Sequence, residues 1–315
     1  MSGAEKNAEL LDEAGEEEMM CCASCGTAGG DEVTLKNCNA CHLVRYCSVK
    51  CQREHWSQHK LACKKRSAEL KDEILFKQPE SSYVGDCPIC LLPIPIPKSQ
   101  DIVRSTMYSC CSKVICNGCI HANILREIEA RLPPSCPFCR HPTPKTDAEN
   151  DLLLMKRVEA NDPVTLHQAG MRRYSTGDIA TAIEYWKKAS QSGDAASQYK
   201  LSSVYHEGWG VQKDLKKFMY HLEQAAIGGH DIARYNLGAM EERKGNDDRA
   251  AKHWIIAANL GCDPAIKALK GFYAQGVVSK EDFGAALRAY QGAVGATKSP
   301  QRDAAEAAGV MQGGV

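Results

Sequence analysis

Sixteen of the 17 cysteines lie between Cys21 and Cys139, and most of them stand in close pairs. A Cys-x2-Cys pair puts two thiolates on one tight turn, where they chelate a single metal ion. The first run reads Cys22-x2-Cys25, Cys38-x2-Cys41, Cys47-x3-Cys51 and His59-x3-Cys63. The second reads Cys87-x2-Cys90, Cys110-Cys111, Cys116-x2-Cys119 and Cys136-x2-Cys139. Each run offers eight ligands, enough for two tetrahedral zinc ions, so the expected cofactor is about four Zn2+ per chain. Cys and His residues already in metal spacing argue against a thiol protease, and no catalytic residue stands out. Cys21 gives an x3 rather than an x2 spacing to Cys25 and is left outside the set. His42 and His55 are alternative ligands, read in preference as surface residues or neighbours of the ligands.

The elements that must position these ligands are short. An x3 pair suits a helical turn, because residues i and i+4 share a helix face. Gln52-Arg53-Glu54-His55-Trp56, between the last two pairs of the first run, has helical character. Between Cys119 and Cys136 the segment IHANILREIEARLPPS has helical period and stops at Pro133. The apolar core of the first cluster is tiny, so metal must hold its fold.

Composition narrows the partners. The 315 residues carry Lys+Arg 39 and Asp+Glu 39, a formal net charge of zero, which excludes a globally basic nucleic-acid binder. No apolar run approaches the roughly 18 residues of a membrane helix. Residues 1–20 are acidic and lack a signal peptide's apolar stretch, so the expectation is a chain that is not secreted, in cytoplasm or nucleus, with reduced thiols. The predicted layout is an acidic tail at 1–20, a zinc module at 21–66, and a linker at 67–84 that starts as a short helix ending before Pro79. A second zinc module at 85–143 and a linker helix at 144–161 follow. Helical repeats then fill 162–297, and a flexible Gly/Ala-rich tail covers 298–315. The expected fold class is two small zinc-stabilised α+β modules followed by an all-α solenoid of helical hairpin repeats.

The solenoid is legible as a repeat. Trp186, Leu222, Trp254 and Tyr290 are spaced by 36, 32 and 36 residues, and Ala189, Ala225, Ala257 and Ala293 keep the same steps. Periods of this size mean stacked helical hairpins. Gly193, Gly229 and Gly261 follow apolar helices, where a left-handed C-cap is wanted. Asp178, Asp214 and Asp282 fall in register as N-caps.

Residues 22–63 resemble a MYND-type zinc finger, through the ligand order and Tyr46-Cys47-Ser48, Cys51-Gln52 and His55-Trp56-x2-His59-Lys60-x2-Cys63. The resemblance implies interleaved sites, with Cys22, Cys25, Cys47 and Cys51 on one zinc and Cys38, Cys41, His59 and Cys63 on the other. It also implies a protein-recognition module, often for proline-containing peptides. Trp56 is read equally as a cap on the fold or as part of a peptide groove. Residues 21–66 carry eight basic and three acidic side chains, and seven thiolates with two zinc ions reduce the formal +5 to about +2. Lys64-Lys65-Arg66 is therefore read as a solvated helix end rather than a DNA patch.

Residues 85–142 resemble a RING finger, on Cys87-Pro88-Ile89-Cys90 and Cys136-Pro137-Phe138-Cys139-Arg140 in one ligand frame. That resemblance implies Cys87, Cys90, Cys116 and Cys119 on one metal, and Cys110, Cys111, Cys136 and Cys139 on the other. The pattern departs from the family where Lys113 stands in place of a His ligand. Adjacent cysteines chelate awkwardly, and His121 is an alternative ligand. The resemblance further implies a ubiquitin ligase that holds a charged conjugating enzyme by positioning alone. Ile89 and Pro137 would meet that enzyme, and Arg140 would steady the thioester conjugate. Leu125 stands on the central helix, which has no Trp.

Residues 162–297 resemble Sel-one-like repeats, relatives of the tetratricopeptide repeat, on Tyr199…Leu201…Tyr205-x2-Gly208-x-Gly210-Val211-x2-Asp214…Ala225-Ala226-x2-Gly229. The implied role is a curved scaffold that binds proteins. The combined expectation is a ligase or ligase adaptor whose MYND module and repeats hold a protein substrate, with no nucleic acid and no membrane partner. The alternative is a non-enzymatic scaffold. A lysine methyltransferase is disfavoured, because nothing downstream resembles a SET domain.

Overall fold

Residues 21–96 and 104–309 are described by a computed structural model, which divides into two units, Met1–Leu75 and Phe76–Val315. The acidic tail predicted at 1–20, and residues 310–315 of the predicted C-terminal tail, lie outside the described residues.

In the first unit, strands β1 (Lys36–Asn37) and β2 (Arg45–Tyr46) pair antiparallel. Helix α1 (Val49–Glu54) starts at Ser48, whose hydroxyl accepts from the Cys51 amide at 3.2 Å. Its buried core consists of Cys22, Cys38, Cys41, Cys51 and Cys63 around the single ring of Tyr46. Sulfur occupies the place of apolar side chains. Helix α2 then runs unbroken from Trp56 to Leu75. The module border predicted at residue 66 falls inside this helix. No Gly or Pro interrupts it, so the helix of the last ligands simply continues.

The second unit opens with a hairpin of β3 (Ser105–Tyr108) and β4 (Lys113–Cys116), in which Ser105 faces Cys116 and Tyr108 faces Lys113. Helix α3 (Asn117–Glu129) follows at once. Helix α4 (Asp147–Glu159), capped by Thr146, leads into the repeats. These are α5 (Pro163–Ser175), α6 (Ile179–Gln191), α7 (Ala195–Glu207), α8 (Leu215–Ile227), α9 (Asp231–Arg243), α10 (Asp247–Asn259), α11 (Asp263–Ala274) and α12 (Lys280–Ala296).

The repeat core is built from a matched pair of shapes. Trp186 and Trp254 are buried, and a Cβ on Gly170 or Gly238 would lie 2.5 and 2.4 Å from their Nε1 atoms. Each indole donates to a backbone carbonyl, Trp186 to His167 at 3.3 Å and Trp254 to Tyr235 at 3.1 Å. In the repeat between them, Leu222 replaces the indole and Ser202 replaces the glycine, so ring and gap change together. Gly193, Gly229 and Gly261 have φ of 83°, 83° and 89°, the left-handed caps their positions require.

Three further features differ from the sequence expectation. The N-cap of α12 is Ser279, not Asp282. The hydroxyl of Ser279 accepts from the Asp282 amide at 3.0 Å and donates to its carboxylate at 2.8 Å, a cap set three residues earlier. The predicted linker beyond Leu75 is packed: Phe76 lies 4.6 Å from the His253 ring, and Tyr83 stacks on His230 at 4.3 Å. The tail predicted to be flexible from residue 298 forms helix α13 (Pro300–Ala307). Ser299 caps it, Pro300 starts it, and it packs on α3 with Ala305 buried.

Candidate metal centres

Four C-x2-C pairs share one backbone device. The residue after the second cysteine takes a left-handed conformation in each, with φ of 73° at Gly26, 59° at His42, 57° at Leu91 and 63° at Arg140. Its amide turns back to the carbonyl of the first cysteine, at 2.8 Å to Cys22, 2.9 Å to Cys38, 2.8 Å to Cys87 and 3.0 Å to Cys136. This closes the knuckle and aims both sulfurs to one side. Only one of the four is glycine, so His42, Leu91 and Arg140 hold a backbone that L-residues seldom adopt. The remaining pair, Cys116 and Cys119, sits at the start of α3 instead.

The knuckles converge in four quartets: Cys22, Cys25, Cys47 and Cys51; Cys38, Cys41, His59 and Cys63; Cys87, Cys90, Cys116 and Cys119; Cys110, Cys111, Cys136 and Cys139. In each quartet the ligand atoms lie within 4.8 Å of one another. Pairs one and three of each run share a site, and so do pairs two and four, so both modules are cross-braced.

The distances suit zinc. Sulfurs are 3.6 Å apart for Cys25–Cys47, 3.5 Å for Cys47–Cys51 and 3.7 Å for Cys38–Cys63. They are 3.8 Å apart for Cys87–Cys119, Cys90–Cys116 and Cys111–Cys136, and 3.4 Å for Cys110–Cys139. Zinc–sulfur bonds of about 2.3 Å at tetrahedral angles give an edge of about 3.8 Å. A disulfide needs about 2 Å, and no pair of cysteines is joined as one. His59 Nε2 lies 3.2 Å from Cys41 Sγ and completes the second quartet.

Electrostatics make the same demand. Burial disfavours the Cys22 thiolate, yet the amides of Cys47, Cys25 and Ser24 together outweigh it and draw the thiol down to about 6. Against the same burial, the Ala40 amide and His59 bring Cys38 to about 6, and the amides of Cys116, Cys90 and Ile89 bring Cys87 to about 7. Cys139 is lowered against burial by the His141 amide. Their partners go the other way. Cys51 and Cys25 push Cys47 up to about 12, while burial and then Cys38 push Cys63 up to about 12. Burial also raises Cys110 and Cys119, reinforced by Cys139 and Cys116 respectively. Each quartet thus holds a thiol that ionises readily and another that does so only beside a dication.

The adjacent pair Cys110-Cys111 is accommodated by the four-residue turn between β3 and β4. Ser112 there is left-handed (φ 58°), and its amide returns to the Tyr108 carbonyl at 2.8 Å. Arg157 of α4 grips the Cys110 carbonyl with Nε at 3.2 Å and Nη2 at 2.6 Å. His121 stands outside all four quartets, and Lys113 lies over the Phe138 ring, 5.9 Å from its centre. His42 is exposed, and His55 Nδ1 meets the Tyr46 hydroxyl at 3.1 Å while its ring stacks on His59. Ile89 is 42% and Leu125 47% exposed, whereas Pro137 is buried. Arg140 is exposed, and its Nη1 donates to Asn123 Oδ1 at 2.5 Å.

The sequence reading missed the left-handed followers of the knuckles, Arg157, and Arg302 of α13. The spacing of the cysteines signals the first group; nothing local signals the two arginines.

Comparison with known proteins matches these parts. The MYND finger profile matches residues 22–63, and the Sel1 repeat profile matches 166–194, 195–230 and 232–262. The chain is 38% identical over 52 residues to "SET domain and MYND-type zinc finger protein 6" of Schizosaccharomyces pombe, covering 16% of this chain and 11% of that protein. It is 24% identical over 180 residues to "DAP3-binding cell death enhancer 1" of Mus musculus, covering 44% of this chain and 35% of that protein. It is 36% identical over 65 residues to "Tudor domain-containing protein 1" of Oryzias latipes, covering 21% and 5%. The chain therefore spans about a third or less of these relatives. Among solved structures, a Sel1 repeat protein from Oxalobacter formigenes aligns at 29% identity and TM-score 0.35, over 38% of this chain and 98% of that one. The protective antigen c5321 of uropathogenic Escherichia coli aligns at 21% and 0.39, over 47% and 34%.

The chain carries a MYND finger, a second cysteine module with two further sites fit for zinc, and Sel1 repeats. These parts suit a zinc-binding scaffold for protein–protein interaction. Among the described residues no helix is long and apolar enough to cross a membrane.

Proposed function

We propose that the chain is a ubiquitin-ligase adaptor. The second cysteine module docks a charged conjugating enzyme, and the MYND finger and repeats hold the protein to be modified. The observation that carries this reading is the cross-braced module with Ile89 exposed inside its first knuckle and Arg140 exposed just past its last ligand. Chemistry would come from positioning: the module holds a thioester near a lysine and supplies no nucleophile. The test is zinc-dependent ubiquitin transfer with a panel of conjugating enzymes, for the parent chain, Ile89→Ala and Arg140→Ala. Chain formation that falls in both variants supports the reading. No transfer and no binding of any conjugating enzyme by a zinc-loaded parent overturns it.

A second reading, a scaffold without transfer, is favoured by two observations. Pro137 is buried, and Arg140 spends a guanidinium donor on Asn123. Under this reading the module is a rigid spacer, and the same experiment separates the two.

A further inference from the structure

The site of Cys87, Cys90, Cys116 and Cys119 contains no histidine. Four thiolates around Zn2+ leave a formal charge of −2. A charge of that size is stabilised by donors aimed at the sulfurs. One of these comes from the far end of the chain. Arg302 Nη2 donates to Cys90 Sγ at 3.5 Å and to the Leu92 carbonyl at 3.1 Å. Nη1 donates to the carbonyls of Pro93 at 2.6 Å and Thr297 at 2.7 Å. The planar fork thus fills the loop just after the first knuckle and reaches a ligand atom with its edge.

A second observation shows that the contact is built. Gly118 lies between Cys116 and Cys119, and a Cβ there would stand 2.9 Å from both Arg302 Cγ and the Arg302 amide nitrogen. Only a glycine lets α13 come this close to the ligand pair. Helix α13 is itself fixed in place by the Ser299 cap on the Arg302 amide at 3.3 Å. In the second site the comparable donor is Gln52, neutral and 4.0 Å from Cys38 Sγ. At the fourth site Arg157 bonds a carbonyl.

We propose that Arg302 is a positioning residue for this third metal site, holding Cys90 and offsetting the thiolate charge so that zinc retention there depends on docking of the last helix. Partners one step beyond a metal's ligands typically change its affinity ten- to a hundredfold. By linkage the dependence runs both ways, so an empty site loosens α13.

The test uses the full zinc-loaded chain. Zinc release to a chromogenic chelator is followed while native mass spectrometry counts ions, and differential alkylation identifies the freed cysteines. For Arg302→Gln, one ion of about four should leave at least tenfold faster, with Cys90 and Cys116 alkylated first. Arg302→Lys keeps the charge without the fork and should fall between. Gly118→Ala leaves the arginine in the sequence but drives α13 away, and should release the same ion early. Hydrogen exchange across residues 300–307 should rise when that ion is gone. Release of all ions at the parental rate in folded Arg302→Gln overturns the proposal, as does an equal acceleration of all of them. If Arg302→Gln does not fold, the same readings on Arg302→Lys and Gly118→Ala decide the matter.

Discussion

The finger at residues 21–75 and the repeats from α5 to α12 reach order by opposite routes. In the finger the buried core is five cysteines and a tyrosine, arranged around points where metal belongs. In the repeats it is indole, leucine and alanine, interlocked without any ligand. The first depends on a bound ion. The second depends on shape. A chain with both can lose its metal-held modules and keep its helical repeats.

The largest expected effect follows directly. Structural zinc contributes on the order of 10–16 kcal/mol to small zinc domains. A strong chelator should therefore unfold residues 21–75 and loosen the module at 85–142, while most helical circular dichroism persists. Limited proteolysis should cut the finger first and leave a resistant fragment containing α5–α12. Equal resistance of the finger with and without chelator would break the comparison.

The converse experiment is Gly238→Ala. The new methyl would stand 2.4 Å from Trp254 Nε1, against a ring buried and hydrogen-bonded to the Tyr235 carbonyl. Overpacking of this kind costs about 1–3 kcal/mol. Thermal unfolding of the repeats should shift down, while the zinc count of the first finger stays at its parental value. A change in that count would break the contrast between a metal-held and a shape-held core.

Acid should separate the regions in another way. Burial holds His230 down to about 3, helped by His167 and Lys200. Folded His230 stays neutral where the unfolded chain takes up a proton below about 6.5, so stability is lost as pH falls through that window. The loss is at most about 2 kcal/mol at pH 5, at about 1.4 kcal/mol per unit. Neutral His230 also accepts from the Ala233 amide at 3.3 Å as the N-cap of α9, a bond a proton on Nδ1 removes. His230→Asn keeps a cap and drops the titration. Chemical denaturation at pH 7.5 and 5 should show a smaller acid loss in the variant. Zinc release at low pH is common to both proteins and cancels. Equal losses would place the acid sensitivity elsewhere.

Local spacing carried the metal ligands and the repeat register, because both are periodic and written in single residue types. Two kinds of feature escaped it. Helix α13 had readable start signals in Ser299-Pro300, overruled by a composition of Gly and Ala further on. The contacts of Arg302 with Cys90, Leu92 and Pro93 had none. They join residues about two hundred positions apart, and an exposed-looking arginine in an alanine-rich tail is unremarkable until the fold closes. The packed segment from Phe76 to Tyr83 was hidden for the same reason: Pro79, Ser81 and Ser82 read as a linker, while its anchors His230 and His253 lie far along the chain.

The smallest effect is the most discriminating. Ser48 caps α1 in the finger and Asp178 caps α6 in the repeats, each accepting one amide, from Cys51 and Thr181, at 3.2 Å. Replacing either with alanine costs about 1 kcal/mol. In the repeats that cost is paid in stability, so Asp178→Ala should lower the unfolding midpoint and leave zinc affinity alone. In the finger, folding and zinc binding are one reaction. Ser48→Ala should therefore appear as zinc affinity weakened about fivefold, the equivalent of 1 kcal/mol, with little change in the unfolding of the repeats. Competition with a calibrated chelator measures the first, and denaturation monitored by tryptophan fluorescence the second, since Trp186 and Trp254 are the buried indoles of the repeats. A Ser48→Ala chain with unchanged zinc affinity would mean that the finger holds α1 in place before the metal arrives, and the contrast between the two routes to order would fail at its foundation.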